Sequence, residues 1–161
     1  MRDLRIIVLL LLLPLAAPAA AQDGGASLRG VDTVAISIQG LDHDVATRDF
    51  NRRELRRLLA GRLADAGLHV IDDGDLDAHP GAVHLTLDLN LIRSPYYFFL
   101  YGINLSARQR LPLDRDNRAY TTIKTWSDGQ NGMVLPRDLD SLNDLSLKLA
   151  DRFIREYRKQ N

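Results

Sequence analysis

The sequence predicts an α+β fold: a two-layer sandwich in which two helices cover one face of a mixed, mostly antiparallel five-stranded sheet, in the order β-α-β-β-β-β-α. Three observations lead there. Several segments alternate apolar and polar residues, two others repeat apolar residues at three- and four-residue spacing, and the last three strand patterns follow one another with no helix between them. Both amphipathic helices need an apolar sheet face, and placing them side by side on the same face is the simplest solution.

The first strand is Thr33 to Gln39, where Val34, Ile36 and Ile38 alternate with smaller or polar residues and Gly40 ends the run. Leu41 to Phe50 is a polar connector. It leads to Asn51 with Glu54 three residues on, a reciprocal helix cap. Leu55, Leu58, Leu59, Leu63 and Ala66 then form one stripe, and Gly67 supplies the left-handed residue that commonly closes a helix. Leu68 to Ile71 is a short strand, and Asp72 to Gly81, with four aspartates, two glycines and a proline, is a loop.

Val83, Leu85, Leu87, Leu89 and Leu91 alternate with His84, Thr86, Asp88 and Asn90 in the clearest strand of the chain. Arg93-Ser94-Pro95 marks a turn. The next strand runs from Tyr96 to Leu111, Asp114 to Asn117 is a hairpin turn, and Arg118 to Ser127 is the return strand. Gly129, Gly132 and Pro136 make Asp128 to Pro136 a loop. The last helix, capped by Asp138, Asp140 or Ser141, presents Leu142, Leu145, Leu149, Phe153 and Ile154, with cations in its last turns. The face away from the helices should show Ser37, Gln39, Thr86, Asp88, Asn90, Ser106, Arg108 and Arg110 to water.

Residues 1–21 are expected to be a signal peptide and not part of the fold. Arg2 and Arg5 precede an apolar run from Ile6 to Leu15, and Ala19-Ala20-Ala21 suits cleavage before Gln22. The run is shorter than the roughly 20 residues a membrane span requires, so the mature chain is expected to carry no transmembrane anchor. Residues 22–30 form a flexible lead-in, and 31–161 a single domain. The expected location is the periplasm or the exterior. With no cysteine there is no lipid-anchor site and no disulfide, so the core alone must hold the fold. Removing Arg2, Asp3 and Arg5 leaves a net charge of about −1, which offers no long-range attraction to nucleic acid.

Few residues assemble a reaction. Asp73-Gly74-Asp75-Leu76-Asp77 resembles a calcium loop, but Ala78 stands where glycine is required and His84 where a bidentate glutamate is required. The histidines lack zinc-hydrolase spacing, and neither a nucleophile elbow nor a phosphate loop is present. His84 and Asp88, on one parity of a strand, are the best remaining acid/base pair. No catalytic residue, metal or cofactor is assigned. Arg52, Arg53, Arg56 and Arg57 form a basic band that would suit an anion.

The run Tyr96-Tyr97-Phe98-Phe99-Leu100-Tyr101 is harder to explain by folding alone. A strand covered on one side needs large apolar residues at alternate positions, and here six occur in succession. If Tyr97, Phe99 and Tyr101 face the helices, Tyr96, Phe98 and Leu100 face away. With Lys124 outward, Trp126 and Tyr120 turn outward too, beside Arg108, extending an aromatic strip. Tyr96, Phe98, Leu100, Trp126, Tyr120 and Arg108 are therefore the candidate partner- or ligand-binding residues.

The Ala-Gly-Leu exit within Leu63 to Leu68, the strand Asn104 to Leu111, Trp126 with Gly129 and Gly132, and the segment Leu149 to Asn161 give the chain a resemblance to a group of small, uncharacterised exported bacterial α/β proteins. More distantly it is similar to periplasmic accessory domains of envelope assembly and transport, such as the lipopolysaccharide-assembly lipoprotein and transporter auxiliary lipoproteins. That resemblance implies a non-enzymatic accessory protein docking on an envelope partner. Two alternatives stand beside it: a module for a small apolar, lipid or glycan ligand, and, more remotely, a hydrolase.

Overall fold

The computed structural model describes residues 26–40, 51–113 and 116–161. The expected leader, the connector 41–50 and the tip of the second hairpin lie outside them. The elements are β1 (Thr33–Gln39), α1 (Arg52–Asp65), β2 (His69–Ile71), a 3-10 turn (Asp73–Ala78), β3 (Val83–Arg93), β4 (Phe99–Leu113), β5 (Asp116–Val134) and α2 (Ser141–Gln160). The sheet order is β2-β1-β3-β4-β5. β1 runs parallel to β2 and β3, and β3, β4 and β5 form an antiparallel meander.

The apolar parity of the strands meets both helices in one core, so the chain is the expected α+β sandwich. Ile36, Leu85, Leu87 and Leu105 pack with Leu55, Leu59 and Leu63 of α1 and with Leu149 and Phe153 of α2. Between β2 and β3 the chain crosses β1 on the other face. There the 3-10 turn lays Leu76 on a small second cluster of Ala35, Ile71 and Ala82. The segment expected to be a plain loop thus covers one corner of the sheet.

Helix α1 starts where the cap pattern places it: the Asn51 side chain accepts a hydrogen bond from the Glu54 backbone N–H at 3.1 Å. Gly67, at φ 92°, turns the chain out of the helix. Arg57 donates to Glu54 at 2.6 Å, and that hydrogen bond holds the Glu54 carboxyl below its ordinary range. A carboxylate with a lowered native pKa stabilises the fold fully above its unfolded value, near ~4.3, and less as pH falls through the native value. An acid titration followed by amide exchange is therefore expected to show the first turn of α1 opening as Glu54 protonates, and Glu54→Gln should abolish that pH dependence.

The N-terminal segment is tied to the C-terminus. Leu28 is fully buried, Asn161 accepts from the Gly30 N–H at 2.7 Å and donates to the Leu28 carbonyl at 2.9 Å, and Gln109 donates to the Ser27 carbonyl at 2.8 Å. Part of the segment expected to be a flexible lead-in is thus held by side chains more than 80 residues away.

Two strand boundaries and one register depart from expectation. β4 begins at Phe99, because Pro95 to Tyr97 form the hairpin connection and the Ser94 N–H closes it onto the Phe98 carbonyl at 2.9 Å. β5 does not stop at Ser127 but continues through Gly129 and Gly132 to Val134. These glycines are sites of close approach and not turns. A Cβ on Gly129 would lie 2.6 Å from the Ile103 carbonyl oxygen, and one on Gly132 would lie 2.7 to 2.9 Å from the Tyr101 ring.

Finally, Ala107 pairs with Trp126 while Arg108 pairs with Lys124, leaving Thr125 as an extra residue. This bulge sends Lys124 and Trp126 to opposite faces. Trp126 is therefore turned toward the helices, not outward, and its ring meets Phe153 edge-on at 5.3 Å and 69°.

Candidate functional site

The sheet face away from the helices is ordered by register into rows of similar chemistry. Ser37, Thr86, Ser106 and Ser127 form a row of hydroxyls across four strands; Gln39, Asp88, Asn104 and Gly129 form the next. A third row is Asn90, Gly102 and Asn131, and a fourth is Ile92, Leu100 and Met133. The face is not uniformly wet as expected: Thr86 and Ser106 are only 1% and 2% exposed. Short side chains in the middle of paired strands are overtopped by the longer ones beside them. The Ser106 hydroxyl and the Asn104 carbonyl oxygen are buried with no hydrogen-bond partner.

At the β1 end of the face, His84 is held by its surroundings. Its Nε2 lies 2.9 Å from Ser37 Oγ and 2.9 Å from Asp73 Oδ1, and Ser37 Oγ donates to Thr86 at 3.3 Å. One ring nitrogen serves both neighbours, so the imidazole does not stand between a nucleophile and an orienting carboxylate as a catalytic triad requires. The arrangement instead fastens the 3-10 turn to the sheet. Asp88 lies four residues along the strand, about 13 Å away, and the suggested His84 and Asp88 pair is not brought together. Among the described residues no three His, Cys, Asp or Glu side chains gather to hold a metal ion.

The opposite end is apolar and protrudes. Tyr96 and Tyr97, on the β3–β4 connection, are 79% and 87% exposed; Tyr97, expected to face the helices from a strand, lies ahead of that strand and has φ 63°, a left-handed conformation costly for a bulky residue. Phe98 is half-buried and Phe99 buried. Next to the connection, Ile92, Leu100 and Met133 all stand exposed in their row. Behind them a cleft of about 560 Å³ is lined by these three side chains, Asn90, Asn131, Tyr101 and the backbone of Gly102 and Gly132.

The other sequence-predicted residues are scattered. Arg108 is exposed between His84 and Lys124, and Tyr120 is exposed opposite Pro112 toward the far hairpin. With Trp126 turned toward the core, no aromatic strip joins Tyr120 to Leu100. In the arginine band, Arg57 is paired with Glu54, Arg56 donates to Asp72 at 2.7 Å and to the Ile36 carbonyl, and Arg53 is exposed. Arg52 also has an interaction of its own. The four do not converge on an anion site.

No protein-family model matches the chain, and no curated protein matches it in sequence. Among solved structures it is similar to lipoprotein GNA1162 of Neisseria meningitidis, at 13% identity and a TM-score of 0.38, over 76% of this chain and 97% of that one. It is also similar to a minor lipoprotein of Acinetobacter baumannii, at 11% identity and a TM-score of 0.30, over 80% and 91%. A hypothetical protein of Chlamydia trachomatis follows at 11% and 0.38, over 81% and 95%. At these values the likeness does not extend to function. Among the described residues no helix is long and apolar enough to cross a membrane.

Ile92, Gly102, Asn131 and Met133 escaped sequence reasoning, which placed Asn90 on the outward face but gave it no role. Ile92 shares the outward parity of β3 and could have been found by carrying its alternation two residues further. Asn131 and Met133 were hidden because two glycines made their strand look like a loop.

Proposed function

We propose that this protein is a non-enzymatic accessory protein of the bacterial cell envelope that docks on another envelope protein through the β3–β4 hairpin end. One observation carries this reading: Tyr96 and Tyr97 project from a hairpin, and beside them Ile92, Leu100 and Met133 form an exposed apolar row. Aromatic side chains on a rigid hairpin bury large area on contact at little cost in conformational freedom. The left-handed Tyr97 is a position where glycine would relax the backbone, so the ring is kept there at an expense in stability.

Tyr97→Gly is therefore expected to raise stability by up to about 1 kcal/mol, read as a higher urea midpoint, while removing the docking contact. A photo-crosslinking residue at position 97, in intact cells, should yield one discrete adduct that the same residue at the exposed Lys148 of α2 does not. An identical adduct pattern from both positions would refute docking through the hairpin. A second reading, a module for a small ligand, is favoured by the cleft behind the apolar row, whose volume falls in the range of small-molecule sites.

A further inference from the structure

We infer that the cleft floored by Gly102 is a site for a neutral sugar bearing an acetamido group, in an oligomer of N-acetylated hexosamine; this rests on the small-ligand reading above. The first argument is charge. The one titratable residue along the cleft is Tyr101, and its ring packs against the core on the helix side, so a phosphate or carboxylate would be desolvated there without a counter-charge.

The second argument is the placement of hydrogen-bonding groups. Asn90 and Asn131 flank Gly102 on the two neighbouring strands, so their backbones stand two strand spacings apart, about 9.5 Å. Between them Gly102 carries no side chain, and the Asn131 side-chain oxygen leans over it, 3.0 Å from where a Cβ would stand. Each carboxamide both donates and accepts, which is what a ligand carrying N–H, C=O and O–H groups requires. Asn104 lies next to Gly102 on the same face, and its carbonyl oxygen has no partner, so turning that amide toward a ligand N–H forfeits no existing bond.

The third argument is the apolar row. Ile92, Leu100 and Met133 give the cleft a mainly apolar wall. A simple hexose offers that wall only the C–H face of its ring, whereas an acetamido group adds a methyl beside the amide. The same two features in the same order, methyl then amide, occur in the wall: apolar row, then carboxamide row.

The test is an NMR titration of the ¹⁵N-labelled protein, isolated as cells produce it, with three probes: tri-N-acetylchitotriose, cellotriose, and octyl glucoside below its micellar range. Saturable shifts of the Gly102 and Asn131 amides with tri-N-acetylchitotriose, at least tenfold weaker with cellotriose, would support the inference. Gly102→Val should abolish those shifts and leave the rest of the spectrum in place. A β-branched residue suits a strand, and the nearest atom a Cβ would meet is the movable Asn131 side-chain oxygen at 3.0 Å. Asn131→Leu is the second variant and should weaken binding at least tenfold. Equal response to both trisaccharides, or saturation by octyl glucoside alone, would overturn the acetamido assignment while keeping a small-ligand site. No response at Gly102 to any probe up to about 10 mM, weaker than roughly −3 kcal/mol of binding, would overturn both.

Discussion

Phe153→Ala is expected to cost about 3–5 kcal/mol, a large share of the roughly 5–15 kcal/mol that holds a typical domain together. Phe153 is fully buried and its ring meets Trp126 edge-on, so truncation removes both the buried area and the aromatic contact that joins α2 to β5. Chemical denaturation should show a urea midpoint lower by about 1–5 M, given slopes of about 1–3 kcal/mol per M. Trp126 is the only tryptophan, so its fluorescence reports the same site, and in the folded variant its emission should move to longer wavelength as the ring gains contact with water. A cost below about 1 kcal/mol would mean that α2 does not rest on β5 as described.

Gly129→Ala should cost about 1–3 kcal/mol, the usual range for forcing extra volume into a packed site. The new methyl would meet the Ile103 carbonyl oxygen at 2.6 Å and the Asn104 Cα at 3.2 Å. Both are backbone, so relief requires the paired strands to part. Hydrogen exchange should therefore show lost protection at Ile103 to Leu105 and at the facing residues of β5. The matching control is Gly61→Ala on the exposed face of α1, where nothing lies within 4 Å of a new Cβ. There the same chemical change should stabilise by about 0.5–1 kcal/mol, since alanine loses less freedom than glycine on entering a helix. Opposite signs from one substitution would separate the close-approach glycine from the ordinary one. Equal signs would count against the strand assignment of Asp128 to Val134.

The part of the functional face visible in sequence was its central strand. His84, Thr86, Asp88 and Asn90 alternate with leucines, and alternation is a property of the strand itself, independent of its neighbours. What surrounds that strand depends on pairing. Leu100 was assigned outward correctly by parity, but Tyr96 was placed on a strand that starts three residues later. The hairpin closure between Ser94 and Phe98 is a backbone event that no side-chain pattern announces.

The sequence by itself determined the two-layer class, the shared apolar side for both helices, the start of α1 at Asn51 and the core parity of β1 and β3, because each follows from local periodicity or a local cap. Strand pairing was needed to show that the half-buried Trp126 turns toward the core, that β5 runs on past two glycines, and that an asparagine pair frames an apolar cleft. Each of those rests on register between strands. A single extra residue, Thr125, reverses which side the following residues occupy, and a glycine in a strand is indistinguishable from one in a turn until the chain segment that occupies its empty side is known.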